Sequence, residues 1–230
     1  MKTRRSKPEQ RGDARRDLGA IQEALRKPLL QGEPFDYSAR AQQVQEAQRW
    51  NSLASQLRFR PPPDAHIWDI HQATAARFWE ALGAAYPPGF WDDYQCLERG
   101  EAKGVESAIM FLEADPYFFR SGYVKEKLIR HIKRPMLTPG HAARLQAVVL
   151  AIVDKRDGRE FRAYCQLARK VNSPELREQL NQRLTRAWPS ARSLTDDLPA
   201  LMLAAREDRA VRRRARWVLE ALGEKDTSNL

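Results

Sequence analysis

The chain has 230 residues, of which 42% are hydrophobic and 30% are charged, and its formal net charge is +10. This apolar content excludes a chain that is disordered throughout. The longest apolar run, LQAVVLAIV at 145–153, is about half of the ~20 residues that a membrane-spanning helix needs. The basic N-terminus has no apolar stretch behind it, so we expect no signal peptide, a cytoplasmic location and no membrane partner.

The positive charge is unevenly distributed along the chain. Residues 1–27 hold nine Lys and Arg against four Asp and Glu, residues 28–98 hold five against nine, and residues 99–230 hold 26 against 17. Residues 1–17 are basic and almost free of apolar side chains, so we expect a flexible arm that either solubilises the protein or contacts nucleic acid. Residues 224–230 are predicted to be a flexible tail.

Residues 18–99 are predicted to form an N-terminal helical region. Apolar side chains recur there at intervals of three or four residues, and prolines separate the runs. Ser38 is expected to cap a helix over about 38–57, Asp64 is expected to cap the next one, and a fourth helix is expected over about 89–99. Three tryptophans at apolar helical positions are expected to lie in the core: Trp68, Trp79 and Trp217.

Residues 100–223 contain a pattern that occurs three times. Each copy has an apolar helix, a short break with Asp or Asn, and a second helix with early Arg or Lys. The copies are AIMFLEADPYFFRSGYVKEKLIRHI, FRAYCQLARKVNSPELREQLNQRL and LPALMLAAREDRAVRRRARWVLEAL. Asp115, Asn172 and Asp208 occupy the breaks, where their side chains are expected to accept hydrogen bonds from the N–H groups that open the second helix. An extra apolar helix is expected over 141–154.

These paired helices resemble the HEAT and armadillo class of α-helical repeats. The likeness is clearest in EDRAVRRRARWVLEAL, where Asp208, Ala215 and Leu219 fit the turn and second helix of a HEAT repeat. The resemblance implies an all-α fold of stacked antiparallel helix pairs, an α-solenoid. An irregular helical bundle is the alternative, because the spacing between the breaks is uneven.

The second helix of the first copy lies within the basic run FFRSGYVKEKLIRHIKR at 118–134. Helical spacing predicts that Val124, Leu128 and Ile132 face the core and that the two phenylalanines anchor the preceding turn. The remaining face is basic, and Lys125 is expected to be one of the cations on this outer surface. Arg177, Arg183 and Arg186 are expected to add to this charge from the second copy.

The sequence contains no motif that identifies a catalytic residue. A phosphate-binding glycine loop, a nucleophile elbow and an HExxH motif are all absent, so no catalytic, cofactor-binding or metal-binding residue is assigned. His66 and His71 are five residues apart and do not share one helix edge as metal ligands would. Cys96 and Cys165 lie in apolar contexts and are expected to be buried thiols.

The second helices of stacked pairs commonly line one surface, so their charges are expected to add. Eight residues are predicted to bind nucleic acid or an acidic protein surface: Arg120, Lys127, Arg130, Arg134, Arg206, Arg209, Arg213 and Arg216. The predicted function is a non-enzymatic binding module, although ordinary solvated helix faces would show the same pattern. One alternative is a protein–protein scaffold that docks through residues 86–91. The other is a DNA glycosylase for alkylated bases, which some HEAT-like proteins resemble.

Overall fold

The computed structural model describes residues 9–31, 34–59, 65–185 and 198–223. The regular elements in these residues are all helical: α1 (Glu9–Arg26), α2 (Tyr37–Arg58), α3 (Ala65–Gly83), α4 (Phe90–Glu98), α5 (Val105–Ala114), α6 (Ser121–Ile132), α7 (Pro139–Lys155), α8 (Phe161–Lys170), α9 (Pro174–Thr185), α10 (Leu198–Ala221) and a 3₁₀ turn over Ala102–Gly104. The all-α prediction is therefore confirmed. In this part of the chain no helix combines the length and the apolar character needed to cross a bilayer.

Two of the predicted segment boundaries differ from the structure. Helix α1 begins at Glu9, inside the segment predicted to be a flexible arm, and residues 1–8 and 224–230 lie outside the described residues. The chain forms two compact units, of which the first comprises Met1–Pro88 and Pro116–Phe119. Helix α4, predicted to belong to the N-terminal region, is part of the second unit, which comprises Gly89–Asp115 and Arg120–Leu230.

In the first unit, α1, α2 and α3 contact one another. Their shared core consists of Ile21, Ala54, Leu57 and Ile70, and partly buried apolar side chains such as Trp50 pack against it. These residues fall on one face of each helix, as the helical spacing of the apolar residues predicted.

The start of α2 differs from the prediction by two residues. Asp36, and not Ser38, is the N-cap, and its Oδ1 accepts hydrogen bonds from Ser38 N at 2.8 Å and Ala39 N at 3.1 Å. A carboxylate two residues earlier satisfies the same free N–H groups and adds a favourable charge at the positive end of the helix. The predicted cap Asp64 lies outside the described residues.

The prediction that three tryptophans lie in the core is wrong. The exposed fractions of Trp68, Trp79 and Trp217 are 48%, 59% and 40%. In α3 the core face is taken by smaller apolar side chains, including Ile70 and Phe78. Trp68 and Trp79 are eleven residues apart, which places both on the same outer side of the helix.

The two phenylalanines before α6 do anchor a turn, as predicted. Phe118 is buried, with its ring centroid 5.6 Å from that of Tyr86, and the Phe119 centroid is 5.4 Å from that of Phe78. Both contacts are edge-to-face arrangements, which aromatic quadrupoles favour.

In the second unit, helices that follow one another in the chain pack as neighbours. Helix α5 contacts α6, α7 contacts α8, and α9 contacts α10. Between these pairs, α5 contacts α7, α6 contacts α8, and α8 contacts α10. The predicted pairing of α8 with α9 is wrong, because among the described residues α8 packs on α6, α7 and α10 instead. The predicted extra helix over 141–154 is α7, the partner of α8.

The third copy of the predicted repeat is one helix and not two. Helix α10 runs unbroken from Leu198 to Ala221, so Asp208 lies inside a helix and occupies no break. The residues around it, EDRAVRRRAR, include no glycine or proline and are mostly strong helix formers, so the helix continues through the aspartate. The segment with the clearest HEAT likeness therefore does not form a HEAT turn.

The predicted capping roles of Asp115 and Asn172 are also wrong. Asp115 ends α5 in the left-handed conformation at φ 45°, and its carboxylate accepts from the side chains of Lys125 and Arg156. Asn172 Oδ1 accepts from the Arg177 guanidinium at 3.0 Å. A carboxylate forms stronger hydrogen bonds with cationic side chains than with backbone amides. This difference explains why Asp115 binds Lys125 and Arg156 instead of capping a helix.

The second unit has an aromatic and aliphatic core that includes Phe90, Phe111, Leu128 and Ile132. Both cysteines are buried, as predicted: Cys96 in α4 and Cys165 in α8. Val124 is only half buried, and Ile129 and Lys125 occupy the core face of α6 beside Leu128. The rotation of α6 about its axis therefore differs slightly from the prediction.

Candidate functional site

A basic groove lies between α6 and α8. Six polar side chains line it: Glu126, Arg130, Lys133, Arg159, Arg162 and Gln166. Its volume is about 560 Å³. Four cations face one carboxylate, so the groove is strongly positive and suits an anionic ligand. We call this set the basic groove.

The α6 wall of the basic groove is oriented by the buried side of that helix. Leu128, Ile129 and Ile132 pack inward, which leaves Arg130 exposed and turns Lys133, just after the helix, into the groove. Lys133 Nζ donates to Gln166 Oε1 on the opposite wall at 3.1 Å. The pKa of Lys133 is lowered, mainly by partial burial and to a smaller extent by the charge of Arg130.

The α8 wall comes from a strongly amphipathic helix. Phe161, Tyr164 and Leu167 are buried, and Arg162 and Gln166 are exposed on the opposite side. Because buried residues recur at three- and four-residue intervals, the remaining positions are polar and face outward.

The carboxylate of Glu126 neutralises only part of the charge in the basic groove. It lies 3.5 Å from Arg130 and 3.7 Å from Arg159, distances longer than a strong charge-assisted hydrogen bond. Arg162 forms no ion pair with any residue that the structure describes. The groove thus keeps positive charge available for a ligand.

An aromatic cleft lies on the other side of α6, between α4 and α6. Its lining consists of Trp91, Tyr94, Arg120, Tyr123, Val124 and Lys127, and its volume is about 380 Å³. The exposed fraction is 47% for both Trp91 and Tyr123. Trp91 contacts Tyr94 edge to face, with the ring centroids 5.8 Å apart. We call this set the aromatic cleft.

A cation–π contact joins the basic groove to the aromatic cleft. The guanidinium carbon of Arg159, which lines the groove, lies 3.8 Å from the ring centroid of Tyr123, which lines the cleft. At this distance the guanidinium stacks on the ring. The two features therefore form one continuous surface across the outer ridge of α6.

A buried histidine lies behind the aromatic cleft. His131 Nε2 is 3.4 Å from the hydroxyl of Tyr94, and the two rings are perpendicular, with centroids 5.7 Å apart. Burial is the main cause that lowers the pKa of His131, and the charge of Arg134 adds to it. A neutral His131 can accept a hydrogen bond from Tyr94 and thereby hold this ring in the cleft.

A cluster of ion pairs beneath the groove connects α6 with the residues that precede α8. Asp115 Oδ1 accepts from Lys125 Nζ at 2.6 Å and from Arg156 Nη2 at 2.7 Å. Arg156 is also 3.7 Å from Glu160, which precedes α8. Burial lowers the pKa of Lys125, and the hydrogen bond to Asp115 opposes that shift. Lys125, predicted to face outward, is fully buried, so that prediction is wrong.

The structure brings together three of the eight predicted site residues. Arg130 lines the basic groove, and Arg120 and Lys127 line the aromatic cleft. Arg134 lies beyond the end of α6, where its Nη1 donates to the backbone oxygen of Glu98 at 2.6 Å.

The four arginines predicted in α10 line neither feature. All four are exposed: Arg206, Arg209, Arg213 and Arg216. Arg213 forms an ion pair with Asp157 at 2.7 Å and stacks on Trp217. In the described chain α8 contacts both α6 and α10, whereas α6 and α10 do not touch, so α8 separates these arginines from the basic groove.

The arginines predicted from the second copy bind acceptors within the protein. Arg183 forms two hydrogen bonds with Asp154, at 2.7 and 2.8 Å, and Arg177 binds Asn172. Arg186 lies outside the described residues. Helix α9 therefore adds little free positive charge.

The sequence-based prediction missed the cations of the α8 wall. The prediction includes neither Arg159, which precedes FRAYCQLARK, nor Arg162 within it, because it treats this segment as the first helix of a pair and assigns the binding surface to the second helices. The signal was present: Phe161, Tyr164 and Cys165 mark a buried stripe that leaves position 162 outside.

A small pocket of about 40 Å³ lies between helices of the first unit, and Trp50 and Thr74 are among the residues that line it. No group of three potential metal ligands occurs among the described residues. The groove and the cleft both have room for a ligand. No protein-family model, curated protein or solved structure matches this chain.

Proposed function

We propose that the second unit binds nucleic acid without catalysing a reaction, and that the basic groove holds the phosphates. The observation that carries this proposal is the convergence of four cations, from α6, α8 and the residues that flank them, on one groove with a single carboxylate. Three of these cations are arginines, whose planar guanidinium groups bind phosphate oxygens in pairs. Neutralising phosphates releases counterions, which is the main source of sequence-independent affinity for nucleic acids.

An acidic protein surface would also suit a basic groove. The adjoining aromatic cleft favours nucleic acid, because bases stack on exposed aromatic side chains and carboxylates do not. Trp91 and Tyr123 are each about half exposed beside Lys127, which combines flat apolar surface with positive charge.

Three helix pairs are proposed to form a short HEAT-like array: α5 with α6, α7 with α8, and α9 with α10. The successive contacts of α6 with α8 and of α8 with α10 support this arrangement. In such an array α6, α8 and α10 belong to one layer, and their outer sides form one elongated surface. The α10 arginines would then extend the binding surface beyond the groove.

The alternative of a base-excising enzyme is less well supported by the site. Such an enzyme needs a carboxylate beside the base, and the residues that line the aromatic cleft include none. The carboxylate of Asp115 is held by Lys125 and Arg156 in the buried cluster. The cleft is therefore better equipped to hold a base than to cleave its bond to the sugar.

The proposed function is tested by fluorescence anisotropy with the full chain and labelled oligonucleotides, titrated from about 50 to 200 mM salt. Binding should weaken as salt rises, with a slope of log K against log salt of about −0.9 per phosphate contact on a duplex or about −0.7 on a single strand. Arg162→Glu should lower both the affinity and the magnitude of the slope. Lys103→Glu is the matched control, because Lys103 is exposed and lines neither feature.

Three results would count against this proposal. They are no binding at about 50 mM salt, binding that ignores salt, and an Arg162→Glu variant that binds like the Lys103→Glu control. If polyglutamate of equal charge displaces the oligonucleotide completely at the same concentration, an acidic protein is the better candidate partner.

A further inference from the structure

We infer that the ligand is a single-stranded nucleic acid whose bases stack on Trp91 and Tyr123 in the aromatic cleft while its phosphates lie in the basic groove. This inference rests on the proposed function and specifies its substrate class. It follows from three properties of the surface: exposed rings, a continuous path to the cations, and rigid support beneath the rings.

The exposed rings are suited to bases that have left a stack. In a duplex the faces of the bases are covered by their neighbours, whereas in a single strand each base can turn outward and stack on a side chain. Trp91 and Tyr123 come from different helices, α4 and α6, and line one cleft of about 380 Å³. A duplex could use the phosphate contacts of the groove, but it would leave these rings without bases.

A row of exposed side chains on the outer ridge of α6 connects the aromatic cleft with the basic groove. Tyr123, Lys127 and Arg130 are exposed at intervals of four and three residues, so they lie in a row on one side of the helix. Arg159 stacks on Tyr123 and also lines the basic groove. A strand that crosses this ridge therefore meets aromatic surface and positive charge side by side, as single-strand binding requires.

The rings of the cleft are held in place before any ligand binds. Trp91 contacts the buried ring of Phe90 and the ring of Tyr94, with centroid distances of 5.2 and 5.8 Å. Tyr94 in turn lies 3.4 Å from Nε2 of His131. A preorganised ring loses little conformational entropy on binding, which favours stacking as a source of affinity.

Trp79 is an exposed tryptophan that lacks this setting. Trp79 is 59% exposed on α3, where the neighbouring charged residues include both Glu80 and Arg77, which form an ion pair. It lines neither the basic groove nor the aromatic cleft. Trp79 is therefore the matched control for Trp91: it has the same side chain and similar exposure, but no basic groove beside it.

The test compares three probes of equal phosphate number: an oligothymidylate, an abasic strand of the same length, and a duplex. Wild-type protein should bind the oligothymidylate most tightly. Trp91→Ala should weaken that binding between about 5-fold and about 150-fold and leave the affinity for the abasic strand unchanged. Tyr123→Ala, as a second variant, should weaken oligothymidylate binding more than abasic-strand binding, because it removes a stacking surface as well as the ring on which Arg159 lies. Trp79→Ala should have no effect.

The variants are first compared with wild type by circular dichroism and thermal unfolding. If Trp91→Ala is not folded, Tyr123→Ala carries the test. The inference fails, although the proposed function survives, if all three probes bind with equal affinity or if Trp91→Ala and Tyr123→Ala bind oligothymidylate like wild type. If none of the probes binds at about 50 mM salt, the proposed function itself fails.

Discussion

The fully buried ammonium of Lys125 lies 2.6 Å from Oδ1 of Asp115, and the same oxygen is 2.7 Å from Arg156. One carboxylate oxygen therefore serves two cations from different elements, α6 and the turn after α7. Desolvation of Lys125 is expensive, and this pair stabilises the fold only because the geometry is close and charge-assisted. Lys125 lies on the buried side of α6 together with Leu128 and Ile132, and Arg130 lies on the exposed side that lines the basic groove.

Asp115 forms close ion pairs with two cations, whereas Lys125 pairs with Asp115. Substitution of Asp115 and substitution of Lys125 should therefore lower the stability of the protein by different amounts. Asp115→Asn leaves Lys125 buried without its hydrogen-bonded carboxylate, so the free energy of unfolding should fall by about 3 kcal/mol. Lys125→Met leaves Asp115 paired with Arg156 and should lower it by less, under about 2 kcal/mol. Asparagine is chosen because it tolerates the positive φ of 45° at this position. Urea denaturation measures both values, and a larger loss for Lys125→Met would contradict this reading of the cluster.

Two glycines are predicted to respond to alanine in opposite directions. A Cβ at Gly104 would lie 2.0 Å from the backbone oxygen of Asp93, where α4 packs against the start of α5. Gly104→Ala should therefore lower the free energy of unfolding by about 1–3 kcal/mol or more through overpacking. Gly19, inside α1, has nothing within 4 Å of the added carbon, so Gly19→Ala should raise it by about 0.5–1 kcal/mol. Equal shifts of the thermal midpoint in the two variants would refute the close approach at Gly104.

The lowered pKa of His131 predicts that the protein loses stability on mild acidification. The pKa of this histidine in the folded protein is lowered from 6.5, chiefly by burial, with Arg134 and other nearby cations adding to the shift against the opposing charge of Glu98. Between the folded pKa and 6.5 the unfolded chain binds more protons, so stability falls as the pH drops through this window and the loss is complete below the folded pKa. Denaturation from pH 7.5 to about 5 should show this slope.

The control for this pH dependence is His131→Phe, which keeps a ring against Tyr94 and removes the titrating group. The variant should show a shallower slope below pH 6.5 than the wild type. Some slope should remain, because burial and Arg58 also lower the pKa of His71 in the first unit. An unchanged slope in His131→Phe would mean that His131 does not contribute.

If the arginines of α10 contact the ligand, the salt dependence of binding should vary with the length of the oligonucleotide. If α6, α8 and α10 share one surface, a longer oligonucleotide reaches Arg206 and Arg209, whereas a short one occupies only the basic groove. Changing both to glutamine should reduce the magnitude of the salt slope by about one per lost contact for long oligonucleotides and leave short ones unaffected. Salt-titrated anisotropy with two lengths measures this, and Lys103→Gln is the control. If the double variant matches Lys103→Gln at both lengths, α10 lies outside the binding surface.

Helix content and the apolar face of most helices could be predicted because both are local properties. The spacing of Leu128 and Ile132 marks the buried side of α6, and the apolar neighbours of Cys96 and Cys165 indicate buried thiols. The same spacing contained a further signal that the prediction did not use. Lys125 precedes Leu128 by three residues and Ile132 by seven, so it shares their face, and a cation on an apolar face implies a buried carboxylate.

The sequence by itself determined an all-α protein with a basic second half and a cationic edge on α6. Only the tertiary structure decided that α8 supplies the opposite wall of the groove, that α10 continues through Asp208, and that Trp91 and Tyr123 share a cleft. The physical reason is that helical periodicity reports which side of each helix is apolar but carries no information about which other helix covers it. That choice depends on packing between residues far apart in the chain, and the packing places Arg130 beside Arg162.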